Sequence, residues 1–115
     1  MDLKWKKLTE EDIARIRTLP ISPISPKEEF DVVLEARIND NESLIAVLKL
    51  GERGLPEDYG IRYTHNGVVI AHMLKSSGDA KRLAVLEHAL QEKGLDYKAV
   101  VNSISRYETP SSPKQ

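Results

Sequence analysis

Ser43-Leu44-Ile45-Ala46-Val47-Leu48-Lys49-Leu50-Gly51-Glu52-Arg53-Gly54-Leu55-Pro56 decides which fold the chain adopts. Its apolar run is nearly continuous, so periodicity alone admits a helix or a buried strand. Leu44, Val47, Leu48 and Gly51 share one helical face, with Ile45 and Leu50 flanking it. The ending favours a helix. Arg53-Gly54-Leu55-Pro56 has the order of a Schellman stop: glycine at C′, an apolar residue at C″ able to touch Leu50 at C3, then proline. Asn39-Asp40 offers the N-cap. The reading is a helix over Asn41–Arg53.

Before it, Phe30, Val32, Leu34, Ala36 and Ile38 alternate with Asp31, Val33, Glu35 and Arg37, the period of a half-buried strand over Glu29–Ile38. After it, Asn66-Gly67 lies between two β-rich runs, Gly60–His65 and Val68–Leu74. Asn-Gly suits a two-residue type I′ hairpin because both turn positions need positive φ. That turn sets His65 opposite Val68, Tyr63 opposite Ile70 and Ile61 opposite His72. This face is the more apolar and is expected to meet helices, leaving Arg62, Thr64, Val69 and Ala71 on the other.

Ser76 and Asp79 cap a helix whose stripe is Leu83, Leu86 and Leu90, ended by Gly94-Leu95 in the same Schellman grammar. Tyr97–Tyr107 is open between a helix face (Tyr97, Val100, Val101, Ile104) and an edge strand. At the other end, Thr9 with Asp12 makes a capping box for a helix over Leu8–Leu19, stopped by Pro20. The sequence divides into an N-terminal helical segment (1–19), a Pro-rich connector (20–27), one α+β domain (28–107) and a polar tail (108–115). Two βαβ units joined by the Asn-Gly hairpin give β-α-β-β-α-β, a ferredoxin-like split βαβ with both helices on one face of an antiparallel sheet. The N-terminal helix is extra. If 97–107 is helical, the alternative is a smaller antiparallel sheet with a C-terminal αα-hairpin.

At 115 residues the chain holds one core, not two. Lysine and arginine number 17 against 18 acids, a balance that argues against general nucleic-acid affinity and leaves room for a local basic face. With no cysteine, disulfides, Cys-bound metals and thiol catalysis are excluded. Met1–Lys7 has no apolar leader, and no run approaches the roughly 20 apolar residues of a membrane span. A soluble, cytoplasmic protein is expected.

Little in the sequence points to chemistry. His65, His72 and His88 have no metal-ligand spacing, so neither a metal nor another cofactor is expected. Asp31 and Glu35 stand about 13 Å apart by strand rise, too far for a carboxylate pair. No Gly-x-Ser-x-Gly elbow is present. Lys75-Ser76-Ser77-Gly78 before a helix N-terminus is an anion-site candidate, although ordinary capping accounts for Ser76 and Asp79. Ser22-Pro23, Ser25-Pro26, Thr109-Pro110 and Ser112-Pro113 read as linker sequence. An enzyme, built on Arg62, His72 and the Lys75–Gly78 loop, is the third choice.

What remains is the sheet face away from the helices. Val33, Val69 and Met73 are apolar residues surplus to the core, with Arg37 and Arg62 beside them, a composition suited to a protein interface. The expected function is a small non-catalytic binding or regulatory module that contacts another protein or a second copy through Val33, Arg37, Arg62, Val69 and Met73. The alternative is a single-stranded RNA or DNA binder using arginines and lysines on the sheet, including Lys98 and Arg106. It lacks stacking aromatics on the central strands. A rival account has Trp5, Ile13 and Ile16 lying across this face and covering it.

Overall fold

The computed structural model describes residues 3–19, 22–25 and 27–105. Pro20, Ile21 and Pro26 of the connector, the Arg106-Tyr107 pair and the tail 108–115 lie outside them. In chain order the elements are β1 (Lys6–Lys7), α1 (Glu10–Arg17), β2 (Val32–Arg37), β3 (Glu42–Leu50), β4 (Pro56–His65), β5 (Val68–Leu74), a 3-10 turn (Lys75–Ser77), α2 (Ala80–Gln91) and α3 (Tyr97–Ser105).

The helix expected over Asn41–Arg53 is instead the strand β3. Leu44, Ala46 and Leu48 enter one core while Ile45 and Val47 enter another on the opposite face. A strand covered on both sides has no polar face, so its sequence carries no period of two. Gly54 takes positive φ (74°) but closes a hairpin rather than a helix. Gly51 N–H donates to Leu55 O (2.8 Å) and Gly54 N–H to Gly51 O (3.1 Å). This is a three-residue loop in which a left-handed residue follows a tight turn.

That change replaces the ferredoxin-like topology. The sheet runs β1-β2-β3-β4-β5 in consecutive order, with every neighbour antiparallel. The fold is α+β, a five-stranded antiparallel sheet with α1 ahead of the main strands and α2 and α3 after them. Residues 97–105 are helical, with Val100 and Ile104 buried one turn apart. Leu86, Leu90, Leu95, Val100 and Ile104 cover one sheet face, packing on Leu34, Leu44, Leu48 and Ile61. The α2 stop has the expected geometry: Leu95 N–H reaches Leu90 O (2.9 Å) and Gly94 N–H reaches Gln91 O (3.0 Å). Its start is capped by Asp79, which accepts from Lys81 and Arg82 N–H; Ser76 lies in the preceding 3-10 turn.

The opposite face is covered from the N-terminal side. The Thr9–Asp12 capping box forms, and Ile13 and Ile16 of α1 pack on Leu8, Ile24, Val33, Ile45 and Val47. Ile24, between the two Ser-Pro pairs, is fully buried, so residues 22–25 and 27–30 form a strap across the sheet. Trp5 goes the other way. Its indole N–H donates to Ser103 Oγ (2.8 Å) and its ring packs on the helix-side core.

The Asn66-Gly67 turn has φ of 55° and 80°, and His65 pairs with Val68 as read. One step further the register shifts. Thr64 faces Val69 and Tyr63 faces Ala71, so Ile70 is an extra residue in β5. Beyond this bulge Arg62 faces His72 and Ile61 faces Met73, correcting the expected pairs by one.

A Cβ at Gly54 or Gly94 would meet no atom within 4 Å, so only backbone strain resists substitution there. Gly54→Val and Gly94→Val are each expected to cost about 1–2 kcal/mol, because the left-handed region is costly for a β-branched residue. Urea unfolding checks this; a variant as stable as the parent contradicts it.

Candidate functional site

The bulge at Ile70 divides the residues expected to form one patch. Val33, Arg62 and Val69 share the sheet face toward α1, with Arg37 at its end. Met73 is buried on the opposite face, where the Tyr97 hydroxyl meets its Sδ at 3.7 Å. Val33 is buried beneath α1 and the strap. Arg37 is exposed and donates from Nη2 to Asp40 O (2.5 Å). Val69 is half-buried. The five residues therefore make no continuous surface. Of the rival account, Ile13 and Ile16 cover this face and Trp5 does not.

Arg62 is 8% exposed. Its Nη2 donates to Glu28 Oε1, and its guanidinium carbon lies 5.6 Å from the Phe30 ring centroid. Nη1 has no hydrogen-bond partner among the described residues. The guanidinium folds over Gly60, where a Cβ would stand 2.5 Å from Nη1; glycine permits that approach. Glu28 also accepts from Ser25 N–H through Oε2 (2.8 Å), and its carbonyl accepts from Arg17 Nη2 (2.6 Å). The knot joins strap, α1 and β4. It is a fastening, with every strong contact internal.

Two of the shallow hollows beside the strap share Pro23. One, of about 280 Å3, has Ile45 and the Ser43–Thr64 hydroxyl pair (2.8 Å) among its lining, with Glu35 and Arg37 beside them. Each hydroxyl is occupied by the other, and no histidine lines this hollow. The second, of about 260 Å3, reaches Arg62, Val69 and His72.

Three donors of the Lys75–Gly78 loop have internal partners, Gly78 N–H reaching Lys75 O (3.3 Å) among them. Ser76 N–H donates to Asp58 Oδ1 (3.2 Å), the Ser77 hydroxyl donates to Leu74 O (2.8 Å), and Lys75 lies 5.9 Å from the Tyr59 ring centroid. The Asp79 carboxylate occupies the α2 N-terminus. The histidines are separate: His65 Nδ1 is 3.3 Å from Glu42, His72 Nε2 contacts Arg82, and His88 Nε2 is 3.1 Å from Glu92. Among the described residues no group of three or more His, Asp or Glu side chains is placed to hold a metal. Burial first, then Arg82 and Arg62, push the His72 pKa down, so its ring is neutral at pH 7 and accepts from Arg82 through Nε2.

Sequence reasoning missed two features. The first is Glu42, buried at the start of β3. Its carboxylate accepts from Lys93 Nζ (2.8 Å), Asn39 Nδ2 (2.7 Å) and the Tyr63 hydroxyl. These donors, Lys93 foremost, hold the carboxyl far below its usual range. Burial and Glu42 push the Tyr63 hydroxyl up to about 12. The cluster is saturated with internal partners and clamps the end of the sheet to the α2–α3 connection.

The second feature is the free edge of the sheet. At one edge β1 is two lysines long, a short charged strand of the kind that blunts edge pairing. At the other, β5 has seven residues and exposes Val68 (43%) and Ile70 (54%), with Val85 of α2 (55%) as an exposed apolar neighbour. A groove of about 340 Å3 between β5 and α2 is lined by Ile70, Ala71, His72, Lys81, Arg82 and Val85. The β-branched run Val68-Val69-Ile70 was the available signal. It became informative only with the strand order that leaves β5 outermost. No protein-family model matches the sequence, and no curated protein and no solved structure matches it either.

Proposed function

We propose that this chain is a small non-catalytic binding module that works by protein contact, and that the contact lies at the β5 edge of the sheet rather than on its face. The observation that carries this reading is the contrast between the two edges: two lysines at β1, seven residues with exposed Val68 and Ile70 at β5. An unpaired strand offers a row of backbone donors and acceptors, and apolar side chains beside it add burial on contact. The face is already occupied by α1 and the strap on one side and by α2 and α3 on the other.

A single-stranded nucleic-acid reading has less support. β2 and β3 have no aromatic residue, and of the two tyrosines of β4, Tyr63 is buried in the helix-side core and Tyr59 packs against it, so the interior strands lack a stacking platform.

A photo-crosslinking residue at position 70, introduced into the full chain in its native host, tests the proposal. Nuclease-resistant protein adducts are expected at position 70 and not at the exposed loop residue Leu55. Equal labelling at both positions, no adduct at 70, or a nuclease-sensitive adduct each overturns it.

A further inference from the structure

We propose that the groove between β5 and α2 receives an extended acidic segment of a partner protein, added to the sheet as a sixth strand. This rests on the edge reading and names the partner's chemistry.

Lys81, Arg82 and His72 are the groove's polar residues, Ile70, Ala71 and Val85 its apolar ones, and no carboxylate is among them. Asp79, which precedes α2, is committed: its Oδ1 caps the Lys81 and Arg82 N–H groups and its Oδ2 lies 3.3 Å from Arg82 Nε. A second copy of this chain would bring the same basic lining to the contact. A partner with carboxylates is complementary to it where a copy is not.

Arg82 also contacts His72. Arg82 comes from α2 and His72 from β5, so the pair spans the open edge. A charged side chain held there guards an edge against indiscriminate pairing. An incoming strand must take Arg82 from a neutral imidazole. A carboxylate gives the guanidinium a stronger, charge-assisted partner, whereas an uncharged strand gives it none. The gate thus selects for acid.

Register narrows the fit further. The bulge at Ile70 interrupts the regular ladder, leaving Ala71–Leu74 as the straight part of the edge. Alternate residues of an added strand stand about 7 Å apart along one face. One such position lies toward Ile70 and Val85 and another toward Lys81 and Arg82. The segment that fits has an apolar residue and an acid two positions apart.

Fluorescence anisotropy of the full chain with labelled short peptides tests this. A peptide of Val-Thr-Glu-Thr repeats, which sets valine and glutamate two positions apart on one face, is expected to bind. Its glutamine counterpart is expected to bind about tenfold more weakly, the worth of two exposed ion pairs. The Lys81→Glu/Arg82→Glu variant, its fold checked by circular dichroism, is expected to lose the glutamate peptide by a similar factor and to gain the lysine counterpart. Equal binding of the glutamate and glutamine peptides, abolished by Ile70→Lys, overturns the acidic preference and leaves the edge as the contact. Failure of every peptide overturns the inference, while adducts at position 70 report separately on the edge. Self-association lost in Ile70→Lys makes a second copy the occupant. Tighter binding of a labelled single-stranded oligonucleotide, lost on the same charge reversal, assigns the cations to nucleic acid. Either of these results also overturns the proposal.

Discussion

Glu28→Ala is expected to destabilise the protein by about 3 kcal/mol, the low end for breaking a buried ion pair from one side. The cost comes from what remains. Arg62 is buried, and Glu28 is the carboxylate that its Nη2 meets. Its Nη1 already lacks a hydrogen-bond partner among the described residues, so the guanidinium has little reserve of satisfaction. Removing Glu28 leaves a desolvated cation over Gly60 and Phe30. The reverse truncation, Arg62→Ala, is expected to cost less through charge, because the Glu28 side chain is 30% exposed and water can solvate it. Replacing both, as Glu28→Leu/Arg62→Met, is expected to recover most of the loss, since well-packed apolar pairs often match buried ion pairs. Urea unfolding of the two single variants and the double variant decides the matter. A double variant whose loss equals the sum of the singles would show that the pair does not act as a unit.

The same strap shows where the sequence is hard to read. Ser22-Pro23-Ile24-Ser25 has the composition of a linker, yet Ile24 is fully buried and Glu28 anchors a charge pair across 34 residues of sequence. Composition records local stiffness and has no access to a partner that far along the chain. The locally determined features were legible. The Thr9–Asp12 box, the Asn66-Gly67 turn, the alternation of β2 and the Gly94 helix stop each depend on residues a few positions apart. The failures share a cause. Leu44–Leu48 is apolar on both faces because sheet and cover meet on both sides, which removes the periodicity that would have revealed a strand. Gly54 supplies positive φ, and a hairpin loop needs that as much as a helix stop does.

The site was less legible than the fold for a related reason. One inserted residue, Ile70, moves Ala71, His72 and Met73 to the faces opposite those expected. Met73 then leaves the arginine side and joins the helix core, and Ile70 passes from expected core to exposed edge. No local propensity announces a bulge; here it lets β5 present Ala71 and Met73 to α2 and α3 while the turn keeps its own register. The free edge depends in turn on strand order, and that followed from the reading of Leu44–Pro56.

Glu42→Gln is expected to remove the largest single source of acid sensitivity among the described residues. In the folded protein Lys93, Tyr63 and Asn39 hydrogen-bond to the carboxylate and favour its charged form, so its pKa lies far below the ordinary 4.5. In the unfolded chain it titrates near that ordinary value. As pH falls below 4.5 the unfolded state takes a proton that the folded state refuses, and stability is lost. The contribution is fully present above that pH. The variant is expected to be less stable at pH 7 and to take up about one proton fewer on unfolding in acid, so its stability approaches the parent's as pH drops. Tyr63 gives the opposite flank. Its hydroxyl, raised from 10.0 to about 12, is neutral in the folded state at pH values where the unfolded chain ionises. Stability therefore falls as pH rises through this interval, and Tyr63→Phe is expected to flatten that slope while costing about 2 kcal/mol at neutral pH for the lost bond to a charged acceptor. Unfolding free energies across the acid range for Glu42→Gln, and across the alkaline range for Tyr63→Phe, provide the measurement. Profiles that run parallel to the parent's would mean that the cluster holds its charge equally well in the unfolded chain, and the clamp between β3 and the α2–α3 connection would have to be sought elsewhere.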